Sequence, residues 1–151
     1  MNEEAKSRAL RLLDKRDYSR AELIRKLTEK GIDEADAAEA VDYLVSLGFV
    51  DDARYAPLLV RRCAAKGYGR ARAKQELQKR GIDRALWDAA LAELPEQEET
   101  IDRILRSRLR SAEPDRAELK RASDALLRRG FGWDEVKRAL ARYQADIEEE
   151  E

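Results

Sequence analysis

The sequence predicts an all-α protein: three tandem three-helix repeats forming an elongated rod, with room for curvature where the units join. Leu and Ala dominate the apolar residues, Gly and Pro are scarce, and 42% of residues are charged, a balance that favours helices with one exposed face over a sheet. A short pattern recurs at a period of about 50 residues: Leu27 before Gly31-Ile32-Asp33, Leu77 before Gly81-Ile82-Asp83, and Leu126 before Gly130-Phe131. Helix start and stop signals fall at matching places in each copy.

In the first copy, helices are expected near 4–16, 20–30 and 34–47. Ser19-Arg20-Ala21-Glu22 has capping-box spacing, in which the Ser side chain accepts from an orphan amide and the Glu reaches back. Gly31 suits the left-handed residue that closes a helix, and Asp33 suits the N-cap of the next. Ala37, Ala40, Val41, Leu44 and Leu47 then fall on one stripe. The second copy repeats this with helices near 53–66, 70–80 and 84–94, Gly81 and Asp83 at the turn, and a stripe of Trp87, Ala90, Leu91 and Leu94. Pro57 lies in a second turn, where its ring removes a hydrogen bond, so the helix after Asp51-Asp52 is expected to start late or bend.

The third copy has helices near 97–111, 116–129 and 133–146, with Pro95 and Pro114 in connections. Asp115-Arg116-Ala117-Glu118 repeats the capping-box spacing and Gly130 closes a helix. Repeat boundaries are placed at 1–52, 53–95 and 96–151. Ala37, Trp87 and Val136 share one place in the repeat, so Trp87 is expected in a core, and Trp133 in a core or at a junction between units. A unit this small buries little alone, so neighbours should dock.

The formal net charge of −1 hides three unlike blocks. Residues 1–52 sum to −4, residues 53–80 to +8 and residues 81–151 to −5. The middle block sets Arg54, Arg61, Arg62, Lys66, Arg70, Arg72, Lys74, Lys79 and Arg80 against Glu76 alone. Clustered Lys and Arg attract phosphates and release counterions, which makes these nine residues, with Tyr55, the candidate surface for DNA or an acidic protein partner. Arg70, Arg72 and Lys74 cannot share one face of a helix, but Arg62, Lys66, Arg70 and Lys74 can form a stripe. The plainer alternative is a solvated helix face.

Other motifs point away from chemistry. Gly67-Tyr68-Gly69 lacks the strand and lysine spacing of a phosphate loop and reads better as a link between helices than as a nucleotide site or a base-stacking platform. Asp51 and Asp52 fit a helix N-terminus better than a metal or acid–base pair. Cys63 has no His in the chain to activate it and falls at a core position, and as the only Cys it forms no intramolecular disulfide. Tyr18 and Tyr55 either dock a partner or close the ends of units. The acidic stretches Glu96–Glu99 and Asp146–Glu151 are expected to be solvated and frayed. Thus no catalytic residue, metal ligand or cofactor is assigned. Met1–Leu10 contains no apolar run, and no stretch of about 18 apolar residues exists, so a cytoplasmic chain with no membrane contact is expected.

A set of ordered motifs sharpens this reading. Arg16-x-Tyr18-Ser19-x-x-Glu22-Leu23-x-x-Lys26-Leu27 precedes Leu44-x-x-x-Gly48-Phe49-x-Asp51-Asp52-x-Arg54-Tyr55-Ala56. Lys66-Gly67-x-Gly69 and Glu76-Leu77-x-x-x-Gly81-Ile82 follow. In order and spacing these resemble the RecX family, regulators of the RecA recombinase, over nearly the whole chain and most strongly over 9–94. The resemblance implies a modular fold of three-helix repeats and a role in DNA repair, recombination and the SOS response. It also implies a monomer that binds RecA filaments and the single-stranded DNA within them, with weaker binding to free DNA. The implied action is suppression of filament extension, ATP hydrolysis and strand exchange, without catalysis. Pro57 and the tail Glu148–Glu151 depart from the usual family pattern. Two other functions fit the residues: an independent DNA-binding protein of helix-turn-helix type, and a helical adaptor between proteins.

Overall fold

The computed structural model describes residues 1–109 and 113–150, and every regular element among them is helical. The order is α1 Glu3–Lys15, α2 Arg20–Glu29, α3 Glu34–Ser46, α4 Asp52–Ala65, α5 Arg70–Lys79, a 3₁₀ turn Arg84–Leu86 leading into α6 Trp87–Leu91, α7 Glu98–Arg108, α8 Arg116–Arg128 and α9 Trp133–Glu150.

Side-chain caps fix most helix starts. The Asn2 side chain accepts from the Ala5 amide, and Ser19 with Glu22 closes a complete capping box. Asp33, Asp51, Asp83 and Asp115 each accept from an amide two or three residues on. At α9 the place of Asp33 and Asp83 is taken by Gly132, whose amide donates to the Glu135 carboxylate at 3.0 Å. Gly31, Gly81 and Gly130 all have positive φ, as the closing turns require.

Four expectations are corrected. Because Asp51 caps α4, the helix starts at Asp52 and runs through Pro57; it does not start late. The sixth helix is short, a 3₁₀ turn and five residues, because Pro95 disfavours helical backbone at Leu94. The end of α9 is helical to Glu150 and not frayed, since Glu is a strong helix former and Asp146 pairs with Arg106 at 3.3 Å. Glu151 lies outside the described residues. Trp133 is 53% exposed, because the repeat register sets it level with Glu34 and Arg84, the first helical residues after the turn. Trp87 is half-buried, and its indole N–H donates to the Ile82 carbonyl at 2.9 Å.

The chain forms two compact units, Met1–Leu59 with Glu76–Ala92 and Val60–Gln75 with Glu93–Glu151. The boundary cuts α4 and α5, so the middle repeat is divided between them. The first unit has a core that includes Ala9, Leu23, Leu27, Ala40, Val41 and Leu44, all fully buried, with Tyr18 at its edge. The second unit packs Ile101, Leu105, Leu126, Phe131, Val136 and Ala139 together. Each such Leu or Phe contributes about 1.5–3 kcal/mol by leaving water. Cys63 is buried, as expected.

One kind of join recurs in both units. In the first, the Ser19 hydroxyl donates to the Arg80 carbonyl, and a Cβ placed on Gly81 would fall 2.5 Å from the Ala21 Cβ. In the second, the Gly69 and Ala71 amides donate to the Arg129 and Gly130 carbonyls at 2.8 and 3.1 Å. A Cβ on Gly130 would fall 2.5 Å from the Arg72 amide nitrogen. The start of the second helix of one copy therefore meets the glycine turn of the next copy. Gly31, in the first copy, has nothing within 4 Å of its Cβ position.

Candidate nucleic-acid interface

The ten residues of the sequence-predicted surface divide into two groups. Arg61, Arg62 and Lys66 are exposed along and just beyond the second half of α4, and Arg70 and Lys74 are exposed on the first half of α5. All five lie in the second unit. Arg62, Lys66, Arg70 and Lys74 make no side-chain ion pair among the described residues, whereas Arg61 faces Glu93 at 3.6 Å. That exposed pair is worth little, so Arg61 stays available to a competing anion. Arg54 and Lys79 are exposed in the first unit, and their side chains are likewise unpaired among the described residues.

A tight turn holds the second-unit cations. The Gly67 and Tyr68 amides donate to the Ala64 and Cys63 carbonyls at 3.0 Å each, closing α4 with Gly67 at φ 80°. Gly69 is pressed on Gly130, where a Cβ would lie 2.6 Å from the carbonyl carbon and oxygen. The Arg129 guanidinium donates to the Lys66 and Gly67 carbonyls at 3.3 and 3.4 Å, next to the last residues of α4. Tyr68 is half-buried with guanidiniums at its ring, Arg72 at 4.5 Å and Arg129 at 5.7 Å, and its carbonyl accepts from Gln97 at 2.7 Å. It serves as a link and not as an open stacking platform, and Arg72 is engaged there.

Arg80 and Tyr55 sit instead inside the first unit. Arg80 donates to Glu22 at 3.1 Å and to Glu76 at 2.8 Å, while Arg16 reaches Glu22 at 3.3 Å. The Tyr55 hydroxyl lies 3.4 Å from both guanidiniums, and Tyr55 is 4% exposed. Burial pushes the Glu22 carboxyl up, but the Ser19 amide and the Arg80 guanidinium outweigh it and hold the group below the usual carboxylate range. Burial, with the Glu22 charge, pushes the Tyr55 phenol up. For Arg80, burial opposes the charged form, and the bonds to Glu76 and Glu22 more than offset it, raising the pKa. Sequence reasoning missed Glu22 as the shared partner of Arg80 and Arg16. The only signal was the capping box that buries Glu22.

Asp51 and Asp52 stand at the start of α4, where Asp52 accepts from the Arg20 amide at 3.0 Å and burial raises its carboxyl. Among the described residues no three His, Cys, Asp or Glu side chains are grouped to hold a metal, and no helix is long and apolar enough to cross a membrane.

Family models for RecX match in three consecutive pieces: the first three-helix domain at residues 5–44, the second at 51–91 and the third at 96–140. The chain belongs to the RecX family. A regulatory protein RecX from Stenotrophomonas maltophilia strain R551-3 is 42% identical over 141 residues, 92% of this chain and 86% of its relative. A regulatory protein RecX from Vibrio campbellii is 32% identical over 139 residues, 91% and 90% of the two chains. A crystal structure of RecX from Lactobacillus salivarius superposes with a TM-score of 0.83 at 24% identity, covering 95% of this chain and 96% of the other. A second crystal structure, of a regulatory protein RecX, gives the same TM-score at 22% identity over 91% of this chain and 72% of its own. These two structures share the RecX fold of three helical repeats. With named regulators among its relatives, the chain is a RecX-type regulatory protein.

Proposed function

We propose that this RecX-family protein binds RecA–DNA filaments in the cytoplasm and inhibits the recombinase, slowing filament extension, ATP hydrolysis and strand exchange in DNA repair. Membership in the RecX family carries the reading. The unpaired cations Arg62, Lys66, Arg70 and Lys74 support it, because they suit contact with the phosphates of single-stranded DNA in the filament or with an acidic protein surface. Occupancy by a protein that binds one filament state better than another shifts the filament toward that state without chemistry of its own. A single chain in dilute solution is the acting species, with weaker binding to free DNA.

The test is the DNA-dependent ATPase of a matched RecA as the protein is added. Inhibition is expected at micromolar protein, and its absence at excess removes the proposal. Replacing Arg62, Lys66, Arg70 and Lys74 by Gln should weaken inhibition and reduce the salt slope of binding by up to about 3, at about 0.7 per lost phosphate contact. Undiminished inhibition in that variant would transfer the activity to a protein-binding face. Equally tight binding to DNA without RecA would favour an independent DNA-binding protein.

A further inference from the structure

Five glycine turns close helices in the same way: the amide of the residue after the glycine donates to the carbonyl five residues back, at 3.0–3.2 Å. In such a turn an apolar residue after the glycine folds back on the helix it closes. Ile32, Ile82 and Phe131 are buried there, and Tyr68 is half-buried. Phe49, which follows Gly48, is instead 55% exposed. Val45 and Leu47 are exposed as well, so three apolar side chains meet solvent within the stretch 45–49, at the end of α3 and the turn into α4.

Val45 is also part of a cleft of about 610 Å³ that lies wholly in the first unit. Val45, Val50 and Leu86 give the cleft an apolar lining, and Asp51, Asp52 and Asp83 give it three carboxylates. Each carboxylate spends one oxygen on a backbone amide, Asp51 on Arg54, Asp52 on Arg20 and Asp83 on Ala85. None of the three makes a side-chain ion pair among the described residues. Arg20 lines the cleft too, but its guanidinium is held by Asp42 at 2.6 and 3.1 Å. Beyond Asp51 a smaller hollow is lined by Phe49 and Leu58, with Asp17 and Arg54 at its edge.

This combination selects its occupant. The apolar lining gains by burying an aliphatic side chain. Carboxylates without a matching cation attract positive charge and repel phosphates, which turns nucleic acid and anionic lipid away from this face. We infer that the cleft is a docking site for a segment of a partner protein in which an aliphatic side chain is flanked by lysine or arginine. The aliphatic group fills the space among Val45, Val50 and Leu86, the cations reach the exposed Asp51 and Asp83, and Phe49 covers the segment beyond Asp51. Arg62, Lys66, Arg70 and Lys74 lie in the second unit, so this contact is independent of the one proposed with DNA.

The experiment titrates the full ¹⁵N-labelled chain with short synthetic peptides and follows amide shifts by nuclear magnetic resonance. The probe carries two leucines flanked by lysines; one control replaces the lysines by glutamates, and another replaces the leucines by serines. The probe should give saturable shifts centred on Val45, Gly48 and Leu86, with an affinity of about 1 mM, and each control should bind about tenfold more weakly. Asp51→Asn, Asp52→Asn and Asp83→Asn combined should weaken the probe about tenfold, since asparagine removes the charge and keeps the caps. Val45→Ser should weaken it about fivefold through the lost apolar contact. Circular dichroism that matches wild type separates these losses from a folding defect. No saturable shift with the probe, equal binding of the glutamate peptide, shifts centred elsewhere, or an undiminished affinity in the folded triple variant would each overturn the inference. Self-association of the peptide-free chain in sedimentation, abolished by the triple variant, would give the cleft to a second copy and overturn it likewise.

Discussion

Replacing the three turn glycines by alanine, one at a time, separates the joins between copies from the turns themselves. Gly31, Gly81 and Gly130 have φ of 91°, 71° and 95°, so alanine meets similar backbone strain at each, about 1 kcal/mol. At Gly31 nothing else is added, because no atom lies within 4 Å of the new methyl. At Gly81 the methyl falls 2.5 Å from the Ala21 Cβ, and at Gly130 it falls 2.5 Å from the Arg72 nitrogen. Overpacking of that kind adds about 1–3 kcal/mol, for a total near 3 kcal/mol at either site. At about 2–4 °C per kcal/mol for a chain of this size, calorimetry should show a loss of about 3 °C for Gly31→Ala and about 9 °C for the other two. Ala21→Gly should recover about half of the loss in the Gly81→Ala chain, since it removes the atom that is struck, and should recover nothing in the Gly130→Ala chain. Equal losses at all three glycines, or no recovery from Ala21→Gly, would refute the idea that these turns are pinned by the neighbouring copy.

Three other outcomes follow from the polar contacts. Arg80→Ala should cost about 3 kcal/mol in chemical denaturation by leaving the buried Glu22 short of its main partner, whereas Lys74→Ala should change stability by less than about 0.5 kcal/mol. Because the folded-state pKa of Glu22 is depressed, its contribution is present above the unfolded value, about 4.3, and is lost as pH falls through the folded value. Melting temperatures of wild type and Glu22→Gln should therefore differ at pH 7 and converge toward pH 3; a constant gap would exclude Glu22 as the titrating group. Removing residues 147–151 takes four glutamates from the end of the sequence and should strengthen binding to naked single-stranded DNA, and an unchanged affinity in a salt titration would reject a repulsive role for the tail.

Helix positions were legible because their signals are local. Ser19, Asp33 and Asp115 cap where their spacing says, and the glycine turns fall at their expected places. What the sequence hid depends on contacts between distant residues. Gly31 and Gly81 stand in the same Gly-Ile-Asp motif, yet one faces open space and the other a methyl group from 60 residues away. Counting charge along the chain grouped Arg80 with Lys79, although one is tied to Glu22 and the other is exposed. Within α5, helical spacing alone sets Arg70 and Lys74 apart from Arg72, and the first two are exposed while Arg72 is half-buried at Tyr68. Trp133 was misplaced because residue type outweighed register: it opens a helix where the other copies carry Glu34 and Arg84.

The middle copy shows how a basic surface can be added without breaking the join that builds the fold. At the first join, the guanidinium of Arg80 meets the carboxylate of Glu22. At the second, Arg129 takes the place of Arg80 and Arg72 the place of Glu22, which brings like charges to the same spot. Tyr68, level with Tyr18, resolves this by offering its ring to both guanidiniums, and Arg129 spends its donors on the Lys66 and Gly67 carbonyls. Cation–π contacts of about 0.5–1 kcal/mol each replace a buried ion pair there. Exchanging Ser19 for Gly69 also lets the backbone amide take over the bond that the hydroxyl makes in the first copy. The Gly67-Tyr68-Gly69 segment closes α4 and leads into α5, so these contacts lie beside the cations exposed at the end of α4 and the start of α5.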